Sequence, residues 1–381
     1  MPLELADVLR AHGREFRRAF SPTKRQLAVM AHIEQCRTAA LGGHAEECAS
    51  CGHVVKVSYN SCRDRHCPKC QGEKRVRWVE SRLARVLPVP HFHVVFTVPD
   101  ELNPVMLRNK RATFDVLFRA AAETLSAIAL DEKRLGAEIG FTAVLHTWGQ
   151  NLLFHPHLHC VVTGGGLSPD GASWIPAREK FLLPVRVLGK MFRGKFLDYL
   201  GRACAAGLIE GGFDFAAVKD RLYRKRWVVY AKPPFGGTED VIRYLGRYTH
   251  RVAISNSRLV SMESGRVSFT WKDYRDGGRV KVMTLDANEF IRRFLLHVLP
   301  RGYTRIRHYG LMAPANVNAK LETCRELLSA EGPAPEDEPP PEAGDQITEP
   351  QTPPPVCPVC GSTRIVRVRL APLPVRRLDS S

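Results

Sequence analysis

The run His155-Pro156-His157-Leu158-His159-Cys160-Val161-Val162 decides how this chain is read. Alternate side chains of a strand leave by the same face, so His157 and His159 project side by side, with His155 at the start of the same row. Two imidazoles converging from one strand supply half of a divalent-metal site. The strand-forming residues up to Thr163 extend the element, and Gly164-Gly165-Gly166 predicts a turn after it. Taken alone, the pattern also fits a hydrolase zinc site or ordinary hydrogen-bonded histidines.

The surroundings narrow the choice. A chain of 381 residues with 44% hydrophobic content has material for roughly two domains with cores of their own. No apolar run approaches the ~20 residues needed to cross a bilayer, and the N-terminus lacks the basic and apolar regions of a signal peptide. The expected location is the cytoplasm, with no membrane partner. The eleven cysteines therefore point to metal ligands or free thiols, not to disulfides. A net charge of +17 and a pI near 9.6 favour a polyanionic partner, nucleic acid first.

Composition divides the chain. Residues 1–88 hold six cysteines and end in a helix expected over 73–87, with Val76, Val79, Leu83 and Val86 at helical spacing. Residues 89–312 read as mixed α and β, in the order strand (91–99), helix (104–130), strand (141–147), then the histidine strand. A further strand is expected at 227–231, a helix from about 238 and a hairpin turning at Asp276-Gly277. Residues 313–330 read as a terminal helix. Residues 331–356 are rich in Pro and acidic groups and predict a disordered linker, and 357–381 form a basic tail with a Cys357-x-x-Cys360 pair.

Cys48-Ala-Ser-Cys51 and Cys67-Pro-Lys-Cys70 are two CxxC knuckles with fifteen residues between them. Together they predict a tetrahedral four-sulfur zinc site. Cys36, His44, Cys62 and His66 interleave with them and suggest a second ion, so one or two structural Zn²⁺ are expected. Arg63, Arg65 and Arg75 surround these ligands as DNA-binding candidates. The late pair Cys357 and Cys360 has no neighbouring knuckle. It either borrows ligands from elsewhere or holds nothing.

Tyr244-Leu-Gly-Arg-Tyr248 places two phenols at i and i+4, on one face of a helix. Buried core aromatics would do the same, but a phenol can also attack a phosphodiester and hold the cut DNA end. In company with the His-x-His strand, the chain resembles the two-tyrosine HUH rolling-circle transposases of the insertion sequence 91 family. HUH denotes histidine, hydrophobic residue, histidine, here His157-Leu158-His159. The resemblance runs over Cys36–Gln71, His91–Thr97, His146–Gly165, Tyr244–Arg258 and Arg305–Leu311.

The resemblance implies an α+β chain: an HUH endonuclease domain, its antiparallel sheet flanked by helices, behind an N-terminal zinc-binding domain and before a disordered C-terminal tail. It further implies cleavage of single-stranded DNA at element ends, Mg²⁺ or Mn²⁺ as catalytic ion, Tyr244 and Tyr248 as nucleophiles and His157 and His159 as ligands. Gln150, seven residues before His157, is the first choice as third ligand, because a neutral amide oxygen suits a hard cation. His155 and His146 stand behind it. Arg243, Arg247 and Arg251 alternate around the tyrosine helix, as phosphate contacts or as solvated charges. The expected partners are single-stranded element ends and target DNA, with homo-oligomerisation left open. A replication initiator or relaxase-type nickase uses the same chemistry, but the zinc module and the lack of a helicase-like phosphate loop favour a transposase. A zinc-dependent DNA-binding regulator without catalysis is the reading from another class. A small-molecule zinc hydrolase is disfavoured by the lack of an acidic ligand beside the histidines.

Overall fold

The computed structural model describes residues 2–70, 86–232, 253–315, 317–330 and 356–373. Residues 73–85 of the expected helix, the tyrosine helix with its arginines, and the Pro-rich linker up to 355 lie outside the described residues; Val86 and Leu87, at the expected helix's end, are described and are not helical.

Two helices open the chain, α1 (Leu5–Ala19) and α2 (Lys24–Gln35). Thr23 and Gln26 cap α2 reciprocally, the Thr23 hydroxyl accepting from the Gln26 amide and the Gln26 side chain accepting from the Thr23 amide. Strands β1 (Gly43–Cys48) and β2 (Val54–Tyr59) follow, then β3 (His91–Thr97), α3 (Asn103–Arg108) and α4 (Lys110–Leu130). The histidine strand is β5 (Phe154–Leu167), between β4 (Glu138–Trp148) and the short β6 (Trp174–Pro176). Beyond it come α5 (Val185–Ala205), α6 (Phe215–Arg224) and β7 (Val229–Lys232). Strands β8 (Leu259–Glu263), β9 (Arg266–Asp273) and β10 (Arg279–Asp286) lead to α7 (Ala287–Leu296), β11 (Ile306–Gly310), α8 (Val317–Ala330) and finally β12 (Ile365–Leu370).

Every strand pairing is antiparallel. The central sheet runs β11-β4-β5-β3-β7, with β6 also on β5. This is the α+β class expected. Leu158, Cys160 and Val162 of β5 point the same way as Phe92, Val94 and Phe96 of β3. They bury against helical stripes at Phe114, Leu117, Phe118, Ala121 and Leu125 of α4 and Phe192, Phe196 and Leu200 of α5. The other side of β5 carries the histidines.

A second core crosses the expected boundary near residue 88. Leu5, Leu9, Val29 and Ile33 of the first two helices bury with Phe269 of β9 and Phe290, Ile291 and Phe294 of α7. The hairpin at Asp276-Gly277 forms as read, closed by the Gly278 amide donating to the Asp273 carbonyl at 2.8 Å. The glycine run does not turn the chain. Strand β5 continues through it to Leu167, pairing Gly166 with Ile139 and Gly165 with Pro176. Here the glycines serve close approach: a Cβ on Gly166 would sit 2.4 Å from the Glu138 carbonyl oxygen, and one on Gly165 2.7 Å from that of Ile175. The C-terminal segment is not all tail, since β12 pairs along β1 and forms the sheet β12-β1-β2. Among the described residues no helix is long and apolar enough to cross a membrane.

Candidate active site and metal centres

Register builds the histidine cluster. Strand β4 sets His146 directly opposite His157, and the two-residue step along β5 adds His159 on the same face. The ligand nitrogens of His146, His157 and His159 all lie within 4.8 Å of one another. His157 Nδ1 donates to the His155 carbonyl at 2.7 Å, which leaves its Nε2 facing His159 Nε2 at 3.0 Å. On its far side His159 Nδ1 meets His93 Nε2 at 2.8 Å, the two rings stacked 5.1 Å apart and nearly parallel. The ring of His146 rests on Trp148.

Burial pushes the imidazolium form of His157 down to about 3, with the neighbouring His155 adding to it. Burial likewise takes His93 to about 4. Neutral imidazoles are the form that binds a metal. With His159 Nδ1–H donating a hydrogen bond to His93 Nε2, the Nε2 lone pairs of His157 and His159 face each other, an arrangement that a cation between them would satisfy. The cluster fits a divalent ion on that ground.

His146, a runner-up in the sequence reading, therefore groups with the pair. Gln150 lies in the β4–β5 turn, its carbonyl accepting from Arg258 at 2.5 Å, and it lines a cavity of about 270 Å³ with Trp271 and Tyr274, whose walls include none of the histidines. His155 is exposed and its backbone, not its ring, orients His157. The sequence reading passed over His93. A second His-x-His pattern, His91-Phe-His93, was the available signal, but its use depends on the β3–β5 register.

Tyr244, Tyr248, Arg243, Arg247 and Arg251 lie outside the described residues. Their segment begins after Lys232, which pairs with His93 on β3, and resumes at Ala253 and Ile254, buried in the same core as Leu152 of the β4–β5 turn.

The cysteines pair differently from the expectation. Cys36, Cys62, Cys67 and Cys70 form one group, with Sγ atoms 3.5 Å apart for Cys36–Cys70, 3.6 Å for Cys62–Cys70 and 3.7 Å for Cys36–Cys67. Hydrogen bonds from Cys62 and Cys67 hold the Cys36 thiol far below its ordinary range, while the same contact with Cys36 pushes Cys62 up. The thiols share protons that one dication would replace. The other knuckle, Cys48 and Cys51, groups with Cys357 and Cys360 at the opposite end of the chain.

Neither histidine of the expected zinc set enters a cluster. His66 is saturated, with Nδ1 on Asp64 at 2.8 Å and Nε2 accepting from the Leu299 amide at 3.2 Å. His44 lies half-buried on β1 between Arg369 and Ser58. Arg65 turns inward and donates to the Tyr303 carbonyl at 2.5 Å, bracing the cysteine-rich segment against the chain leading into β11. Arg63 is exposed, and Arg75 lies outside the described residues.

Comparison with known proteins agrees with this layout. The family model described as "Transposase zinc-binding domain" matches residues 8–98, and the one described as "Putative transposase" matches residues 140–320. A curated relative in Sinorhizobium fredii, "Putative transposase y4qJ", is 53% identical over 91% of this chain and 89% of its own length. The transposase for insertion sequence element IS801 of Pseudomonas savastanoi pv. phaseolicola is 30% identical over 79% of this chain and 73% of its own. This chain belongs to the insertion sequence 91 family of transposases. Among solved structures, the conjugative relaxase TrwC in complex with oriT DNA, in a metal-free structure, aligns with 66% of this chain and 96% of its own at 12% identity. Its TM-score is 0.25, and that likeness carries no argument. Within the family, the zinc-binding match covers Cys36, Cys48, Cys51, Cys62, Cys67 and Cys70 but stops well before Cys357.

Proposed function

We propose that this transposase cleaves and rejoins single-stranded DNA at element ends through a 5′-phosphotyrosine intermediate, as rolling-circle transposition requires. The observation that carries this reading is the convergence of His146, His157 and His159 on one face of the central sheet. These three residues would hold Mg²⁺ or Mn²⁺, with Mn²⁺ the better match to an all-imidazole set. Such an ion, when bound, supplies Lewis-acid polarisation of the scissile phosphate.

Tyr244 and Tyr248 supply the nucleophiles. The phenolic oxygen bonds to phosphorus, the P–O3′ bond breaks, and the released 3′ oxygen takes up a proton. The tyrosyl ester keeps the energy of the broken bond, so a second 3′ hydroxyl can reverse the step on another strand without ATP. An unperturbed phenol has a pKa of about 10, so the attack needs a polarised phosphate or a nearby base. Arg243, Arg247 and Arg251 neutralise phosphates beside the nucleophiles, and exposed Arg63, with Arg75, extends the contact to the zinc module. The partners are element ends and target DNA in the cytoplasm.

The test is a labelled single-stranded element terminus incubated with Mn²⁺ and resolved on a denaturing gel. The unaltered chain leaves a covalent adduct, and Tyr244→Phe combined with Tyr248→Phe abolishes it. An adduct that survives the double change rejects the tyrosine assignment. Each single variant then separates first cleavage from strand transfer.

A further inference from the structure

Cys48-Ala-Ser-Cys51-Gly52 and Cys357-Pro-Val-Cys360-Gly361 fold as two copies of one loop. In the first, the Gly52 amide donates to the Cys48 carbonyl at 2.8 Å and the Cys48 amide to the His53 carbonyl at 2.9 Å. In the second, the Gly361 amide donates to the Cys357 carbonyl at 3.0 Å and the Cys357 amide to the Ser362 carbonyl at 2.9 Å. Both glycines hold positive φ, 72° and 68°, which lets the chain turn back under its two sulfurs. The loops face each other. Cys48 Sγ lies 3.5 Å from Cys360 Sγ, and Cys51 Sγ 3.6 Å from Cys357 Sγ.

Those distances are far from a disulfide, which needs about 2.05 Å. They approach the roughly 3.8 Å between sulfurs set tetrahedrally around an ion at about 2.3 Å. We propose that Cys48, Cys51, Cys357 and Cys360 hold one structural zinc ion, distinct from the ion of Cys36, Cys62, Cys67 and Cys70, and that it clasps the C-terminal strand to the N-terminal module. The zinc-binding family match spans residues 8–98, so Cys48 and Cys51 fall inside it and Cys357 and Cys360 lie far beyond it.

The sheet around the loops shows why a metal is needed. Strand β12 pairs with β1 over six positions, from Gly43 with Leu370 to Cys48 with Ile365, and the Ala49 amide donates to the Arg364 carbonyl. Yet the β12-β1-β2 sheet covers little apolar surface: Val54 is 46% exposed, Val57 44%, Val366 46% and Val368 40%. A three-stranded sheet without a packed face is marginal in water. A metal crosslink supplies what burial does not.

The test measures zinc per chain by mass spectrometry in full-length protein purified with zinc. Cys357→Ser with Cys360→Ser should lose one ion, and Cys48→Ser with Cys51→Ser should lose one ion. All four changes together should still lose only one, because both knuckles hold the same ion. A loss of two ions in the fourfold variant, or no loss in the C-terminal pair, overturns the proposal. Alkylation of the unaltered chain decides the matter if a variant fails to fold. On titration with a chelator, Cys357, Cys360, Cys48 and Cys51 should become reactive together; if Cys357 and Cys360 react freely while Cys48 and Cys51 stay protected, the shared site is excluded.

Discussion

His93 meets the proposed metal ligand His159 ring to ring, and that contact gives it a definite task. A ligand imidazole needs its second nitrogen fixed so that the first is aimed. His159 has this from His93 Nε2, and His157 has it from the His155 carbonyl. The difference between a ring and a backbone contact makes a prediction. His93→Ala should weaken Mn²⁺ binding by about 10–100-fold, whereas His155→Ala should leave it unchanged, both read by titration calorimetry. Equal affinity in the His93 variant would remove it from the site. The depressed imidazoles also set a pH dependence. With His157 at about 3 and His93 at about 4, neither binds a proton that the metal must displace at neutral pH. His157 should therefore add no pH slope to Mn²⁺ affinity between about pH 6 and 8, where an ordinary histidine would make it climb. The folded values lie below the unfolded value of about 6.5, so the neutral rings favour the fold above that pH. Without Mn²⁺, thermal stability should decline as acidity rises from about pH 6.5 toward the folded values, since the unfolded chain takes protons first.

Strand β5 shows what alternation alone can and cannot specify. The inward series Leu158, Cys160 and Val162 against the outward pair His157 and His159 was legible, because period two needs no partner to be seen. Its end was not. Three consecutive glycines look like a turn, but here they let β4, β6 and the Pro90 backbone approach the strand. A methyl group on Gly166 would meet the Glu138 carbonyl oxygen and carbon at 2.4 and 2.7 Å, and backbone yields poorly. Gly166→Ala should cost about 1–3 kcal/mol, seen as a lower urea midpoint with an unchanged slope. A neutral result would mean that β4 can shift. The identity of the third histidine was hidden for a related reason. His146 reaches His157 through cross-strand register, while Gln150 recommended itself by nearness in sequence. The cysteine pairing was hidden more deeply, because two CxxC knuckles fifteen residues apart look self-sufficient until β12 is seen to lie along β1.

The net charge of +17 acquires an address once the whole chain is folded. Arg369 stands opposite His44 on β1, Arg367 opposite Glu46, and Lys56 faces Glu46 from the other side, so these basic groups share one side of the terminal sheet. Both arginines are exposed. If that side meets DNA, as the proposed function has it, Arg367→Ala with Arg369→Ala should make the log–log salt dependence of single-strand binding shallower by about 1.4, since each lost phosphate contact removes about 0.7. An unchanged slope would turn that side of the sheet away from the nucleic acid.

The pairing of β1 with β12 also sets a clock on the ribosome. At about 5–20 residues per second, the roughly 300 residues between the two strands take about 15–60 s to emerge. Through that interval β1 has β2 on one side and an open edge on the other, and open edges recruit other chains. Its neighbour emerges only after that interval, so a product ended before β12 by a stop codon or frameshift never acquires it. Completion of this sheet thereby marks translation through β12, and chains terminated before it keep a sticky edge that exposes them to chaperones, proteases or aggregation.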